Sequence, residues 1–170
     1  MKLKSFSAVL LAVFMPSVSG ADTLGAKAVL GYEAAQQMIA ACFAAQAAGG
    51  YSKVNVAVVD DGGRLIAAGR QDGACKACTD IAEDKAITSA LYFAPTRVFA
   101  DLSFGAKRDG SEAGLPGAAF VPGLVAFAGG LPVVTASGDV IGGIGVSGAS
   151  EDQDEACAQA GLDAISDTLK

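Results

Sequence analysis

Apolar and polar positions alternate between helical and strand-like spacing along this 170-residue chain. Tyr32 to Ala48 (YEAAQQMIAACFAAQAA) has helix-forming composition and stops at Gly49-Gly50. Val54 to Asp60 (VNVAVVD) is β-branched and loosely alternating, Asp61-Gly62-Gly63 signals a turn, and Arg64 to Gly69 (RLIAAG) returns, which predicts a β-hairpin. Cys75 to Phe93 repeats at helical spacing, with Ile81, Ala82, Ala86, Ala90 and Leu91 toward one face, and Pro95 ends the run. Thr96 to Phe104 predicts a short helix. Gly105 to Gly123 predicts a long loop, a kind of segment that is usually functional or mobile in a compact domain. Val125 to Ala128, Leu131 to Ala136 and Val140 to Val146 read as three further strands, and Asp152 to Thr168 as a closing helix.

The turns between these strands, Gly129-Gly130 and Ser137-Gly138-Asp139, are of hairpin length. The expected fold is therefore a single α+β domain, with a largely antiparallel five-stranded sheet covered by helices. Gly142, Gly143, Gly145 and Gly148 would let the last strand pass close to something, and Glu151, Asp152, Asp154 and Glu155 suit the positive end of the closing helix.

Residues 1–21 read as a signal peptide and residues 22–170 as the domain. Lys2 and Lys4 precede an apolar run, Ala8 to Met15, that is too short to span a bilayer, and Ser19-Gly20-Ala21 offers small residues for cleavage before Asp22. A cut one residue earlier fits nearly as well. The expectation is an exported bacterial protein, periplasmic or secreted, with no membrane span after cleavage. The remaining chain of about 150 residues is enough for one core, burying roughly 68–70% of its unfolded surface.

A formal net charge of −6 argues against nucleic acid, because neutralising phosphates needs surplus Lys and Arg. The chain has no histidine, which excludes a Ser–His–Asp triad, a Cys–His pair and His-ligated zinc or haem iron within this chain alone. No carboxylate pair stands out as general acid and base, so an enzyme with its own base is not expected.

Cys75-Lys76-Ala77-Cys78 is a CxxC motif at a predicted helix start. Thr79 follows it, so covalent haem attachment through CxxCH fails. A structural disulfide, a redox pair and a metal or haem role stay open. Of the three pairings that four cysteines allow, Cys75–Cys78 with Cys42–Cys157 is the simplest, provided the first and last helices pack side by side. Asp60, Asp61 and Asp72 read as turn-capping residues, with metal binding the alternative. Arg64 and Arg70 bracket the second strand at an even spacing, placed either to pair with a ligand carboxylate or with nearby Asp. Lys85, beside Glu83 and Asp84, reads as a surface salt bridge or as the holder of an anionic ligand. Phe99, Lys107, Arg108, Glu112 and Phe127 mark the place to look for a pocket, since aromatics with a few cations suit a flat anionic ring. Filling of the core or a subunit interface is the alternative. Met38 reads as core packing, and Tyr32, Tyr51 and Tyr92 are weak ligand candidates.

Four collinear stretches resemble the GlcG/HbpS-like family, also described as haem-degrading or extracellular haem-binding proteins. They are VAVVDDGGRLIAAGRQDGA (Val56 to Ala74), IAEDKAITSA (Ile81 to Ala90), GGLPV (Gly129 to Val133) and VIGGIGVSGASEDQDEACAQAG (Val140 to Gly161). The resemblance spans nearly the whole mature chain. It implies a profilin-like fold with a central antiparallel sheet, frequent assembly into multimers, and haem as cofactor in some relatives. A related module accompanies a corrinoid adenosyltransferase. Histidines that could ligate iron in some relatives have no counterpart here.

The functional expectation is an exported protein holding a small-molecule ligand, haem or a related anionic tetrapyrrole, in a homo-oligomer and without a His ligand. The alternatives are a non-catalytic accessory module serving an operon partner, and a CxxC thiol–disulfide redox protein. Candidate ligand-binding residues are Arg64, Arg70, Lys85, Phe99, Lys107 and Arg108.

Overall fold

The computed structural model describes residues 25–170, and the signal segment predicted over residues 1–21 lies outside them. Helix α1 (Tyr32–Gly49) leads into strands β1 (Asn55–Asp60) and β2 (Leu65–Arg70), then helices α2 (Cys78–Tyr92) and α3 (Thr96–Phe104). A 3-10 turn at Pro116–Phe120 precedes strands β3 (Gly130–Val134) and β4 (Val140–Ser147), helix α4 (Glu151–Ala164) and a last 3-10 turn at Ser166–Leu169. All strand pairs are antiparallel, in the order β2-β1-β4-β3. The domain is α+β as predicted, but its sheet has four strands, not five.

Val125 to Ala128 is the strand that does not form. Its amides go to side chains instead of a ladder: Val125 N–H donates to Thr88 Oγ1 at 3.0 Å, and Ala128 N–H to Glu151 Oε2 at 3.3 Å. Strand propensity reports fit to a half-buried surface, which an apolar VAFA run satisfies without pairing. Helix α2 begins at Cys78 rather than Cys75, since the Cys75 carbonyl accepts from Asn55 Nδ2 at 3.0 Å and not from the helix. Helix α4 starts one residue early under a capping box, in which Ser150 Oγ accepts from Gln153 N–H and Gln153 Oε1 from Ser150 N–H.

Three layers result. On one face α1 and α4 pack Met38, Cys42, Cys157 and Ala158 onto Val56, Val58, Ile144 and Val146. Full burial of a side chain such as Met38 or Ile144 contributes about 1.5–3 kcal/mol. On the other face α2 lays Ala82, Ala86 and Ala90 on Ala57 and Val59. The approach is close because the sheet offers glycine there: a Cβ on Gly145 would collide with the Ala82 carbonyl oxygen, and one on Gly143 with that of Ala86. Gly143 and Gly145 thus pass close to the backbone of α2, whereas Gly142 lies against the Val59 carbonyl of β1 and Gly148 against that of Lys53.

Both expected disulfides are present, Cys42–Cys157 and Cys75–Cys78. The first joins α1 to α4 with 4.6 Å between Cα atoms and both cysteines buried. It closes a loop of 115 residues, worth about 4–5 kcal/mol in the chain-entropy model. The second closes a turn only, worth about 2 kcal/mol on the same relation.

Candidate functional site

Lys85 occupies the middle of α2 on the stripe that faces the sheet, four residues after Ile81 and four before Ser89. Its side chain is 0% exposed, so the ion pair expected at the surface forms in the interior, and with neither neighbour on α2. Nζ donates to Asp154 Oδ2 of α4 at 3.0 Å and to the Val146 carbonyl of β4 at 2.8 Å, and sits 4.8 Å from the centre of the Phe127 ring. Asp154 Oδ1 accepts from Ala149 N–H at 3.0 Å. Gly129 makes the room, since a Cβ there would lie 2.7 Å from Nζ. Burial lowers the Lys85 ammonium pKa from its ordinary value, with Asp154 opposing, and burial raises the Asp154 carboxyl pKa, with Lys85 opposing. The pair is thus costly to desolvate and held by geometry.

Outward from this pair, the start of α4 is tied to α3 and the following segment. Arg97 bridges Asp152 at 2.6 Å and Glu155 at 2.9 Å, and these partners hold its guanidinium protonated even above the usual range. Arg108 reaches Asp101 at 3.0 Å and Glu151 at 3.4 Å, and Lys107 pairs with Glu112 at 2.8 Å. Residues 105–115 fold back onto α3, with Gly110 N–H donating to the Phe104 carbonyl and Leu115 N–H to that of Leu102. A cleft of about 360 Å³ opens here, lined by Val98, Asp101, Leu102, Ala106, Glu112 and Gly114.

The stretch of chain that builds this flank is rich in exposed apolar side chains. Of the fourteen large hydrophobic residues left exposed among those described, ten fall between Leu91 and Phe127, including Phe93 at 69% and Phe120 at 85%. Phe99 is half-buried and meets Tyr92 edge to face at 5.4 Å. Phe93 (φ 57°) and Arg108 (φ 58°), the two non-glycine residues in the left-handed region among those described, flank the same segment. Such strain concentrates at functional sites.

The structure divides the predicted site residues into three places. Lys107 and Arg108 sit on the segment that folds back onto α3, Phe99 lies on α3 against Tyr92, and Lys85 is buried with its Nζ near the Phe127 ring. Arg64 and Arg70 stand exposed at the two ends of β2, on the opposite edge of the sheet from β3, with no carboxylate within ion-pair distance among the described residues. A groove of about 500 Å³ between α1 and β2, walled by Tyr32, Ile39, Phe43 and Leu65, has no charged residue in its lining. Asp60 does turn work, accepting from Gly62 and Arg64 N–H at 2.9 and 2.8 Å, and Asp61 pairs with Lys27. The sequence pattern marks Glu151 and Asp154 only as helix-terminal charges and does not mark Arg97. The signal for Asp154 lay in Lys85, whose place on an Ala-faced stripe demands a buried partner.

The chain belongs to the family described as haem-degrading protein HbpS-like, which matches residues 30–163. Protein GlcG of Escherichia coli K12 is 35% identical over 117 residues, covering 66% of this chain and 79% of GlcG. A crystal structure of a double mutant of HbpS from Streptomyces reticuli superposes with a TM-score of 0.72 at 35% identity, covering 91% of this chain and 99% of that one. A PduOC:haem complex superposes with a TM-score of 0.68 at 27% identity, covering 81% of this chain and 96% of that one.

Proposed function

We propose that this protein is an exported carrier of haem or a related anionic tetrapyrrole, held flat on the apolar flank formed by α3 and residues 105–127. The observation that carries this reading is the concentration of exposed aromatic and aliphatic side chains there beside Lys107 and Arg108. A relative solved with haem supports it. Two disulfides support an oxidising compartment, periplasmic or extracellular, with residues 1–21 directing export. No helix among the described residues is long and apolar enough to cross a membrane.

The side chains present fit the ring better than its iron. All four cysteines are bridged, Met38 is 0% exposed in the core, and the chain has no histidine. Tyr92 brings a phenol to Phe99 and is the ligand this flank offers. Lys107 and Arg108 already hold carboxylates, so a propionate must compete with Glu112, Asp101 and Glu151. Moderate affinity and reversible loading follow, which suits carriage rather than ring opening. Titration with hemin should give a saturable Soret change that weakens when Lys107 and Arg108 are both neutralised. It should be unaffected by Arg64→Ala/Arg70→Ala. No saturable change would end the proposal.

Phe93 and Phe120, the most exposed aromatics on this flank, favour a second reading in which the same face packs against another copy or an operon partner. Sedimentation of the apo protein with and without Phe120→Ser separates the two: assembly lost with hemin binding kept selects a contact surface distinct from the carrier site.

A further inference from the structure

The two disulfides sit in opposite physical circumstances. Cys42 and Cys157 are 0% exposed in the core, whereas Cys75 is exposed and Cys78 half-exposed at the start of α2. An open groove of about 280 Å³, lined by Ala68, Gly69, Arg70 and Thr79, runs beside the exposed bridge.

The turn that carries Cys75–Cys78 is also pinned without it. Asn55, 1% exposed at the start of β1, donates from Nδ2 to the Cys75 carbonyl at 3.0 Å and accepts at Oδ1 from Thr79 Oγ1 at 2.9 Å. Gln71 Oε1 accepts from Val54 N–H at 2.9 Å, and Ala74 N–H donates to the Gln71 carbonyl at 3.0 Å. Opening the bridge would leave both thiols facing each other on a fixed backbone. No side chain caps the N-terminus of α2, in contrast to α4, and Thr79 N–H donates to the Lys76 carbonyl at 3.4 Å, so backbone alone closes the turn that holds both cysteines.

We propose that Cys75–Cys78 is a thiol–disulfide exchange site whose substrate is a dithiol on another protein. The partner's thiolate attacks Sγ of the exposed Cys75, the Cys75–Cys78 bond breaks, and its electron pair leaves on Cys78 Sγ, which takes up a proton from solvent. The partner's second thiol loses its proton to solvent and attacks its own sulfur in the mixed disulfide, releasing Cys75. Two electrons pass from the dithiol to this chain, and the partner departs as a disulfide. This site is independent of the tetrapyrrole flank.

The test uses the mature, folded protein. After incubation with reduced thioredoxin as the protein-dithiol probe, and in parallel with reduced glutathione, free thiols are alkylated and mapped by mass spectrometry. Alkylation of Cys75 and Cys78, with Cys42–Cys157 intact and circular dichroism unchanged, is the expected result. Reaction with thioredoxin should be at least ten-fold faster than with glutathione at equal thiol concentration. Resistance of Cys75–Cys78 until Cys42–Cys157 also opens would overturn the site, and equal rates would overturn the protein-dithiol assignment. The variants Cys78→Ala and Cys75→Ala, treated with oxidised glutathione, separate the two sulfurs. A mixed disulfide should form at Cys75 at least ten-fold faster than at Cys78, and the reverse order would overturn Cys75 as the attacked sulfur.

Discussion

Lys85 of α2 and Asp154 of α4 meet at 3.0 Å across the end of β4, joining helices that lie on opposite faces of the sheet. The pair shares its enclosure with Phe127, so it also sets the inner wall of the apolar flank. Nothing else among the described residues ties the three layers and the irregular segment at one point.

Breaking that tie from one side should be severe. Asp154→Ala leaves a buried ammonium without its counter-ion and is expected to cost about 3–5 kcal/mol. The double replacement Lys85→Met/Asp154→Leu, similar in volume, should recover most of this. Chemical denaturation of the three proteins checks it, and a double variant no more stable than Asp154→Ala would show that the charges do not act as a pair.

Gly145→Ala should also be strongly destabilising, because the added methyl meets the Ala82 carbonyl and forces α2 off the sheet. Overpacking of this kind typically costs about 1–3 kcal/mol. Gly117→Ala is the control for space alone: nothing lies within 4 Å of a Cβ there, and its φ is not positive. Thermal melts of both should show the larger fall for Gly145→Ala.

The disulfides should separate in stability as they do in burial. Cys42→Ala/Cys157→Ala is expected to lose about 4–5 kcal/mol, and Cys75→Ala/Cys78→Ala about 2 kcal/mol. Urea midpoints measure this directly, and equal losses would mean that the exposed bridge carries structural weight.

On the apolar flank, Phe120→Ser removes a side chain that is 85% exposed and should leave stability within about 0.5 kcal/mol of the parent. Its effect should fall on binding. Hemin affinity is expected to drop several-fold, and unchanged affinity would take Phe120 out of the contact.

Much of this architecture was legible in the chain. The hairpin from Asn55 to Arg70, all four helices and the close approach at Gly143 and Gly145 follow from spacing and small residues, and the observed bridges match the simplest of the three cysteine pairings. The false strand at Val125 to Ala128 shows the limit, since its amides are satisfied by Thr88 and Glu151, residues distant in sequence that no local pattern reveals. The candidate site was legible only in part. Lys107 and Arg108 lie against α3 because residues 105–115 fold back on it, where the sequence predicts only a long loop, and Lys85 is drawn toward the surface by its neighbours Glu83 and Asp84 in sequence but held inside by its stripe. Arg64 and Arg70 share a strand, and a strand's ends are set far apart from α3 by the sheet order.

The most direct measurement is the absorbance titration of the mature protein with hemin, run beside its Lys107→Ala/Arg108→Ala and Arg64→Ala/Arg70→Ala variants. A saturable Soret shift, weakened only in the first variant, is the predicted result. A flat titration, or a shift that both variants leave untouched, would contradict carriage on the flank of α3.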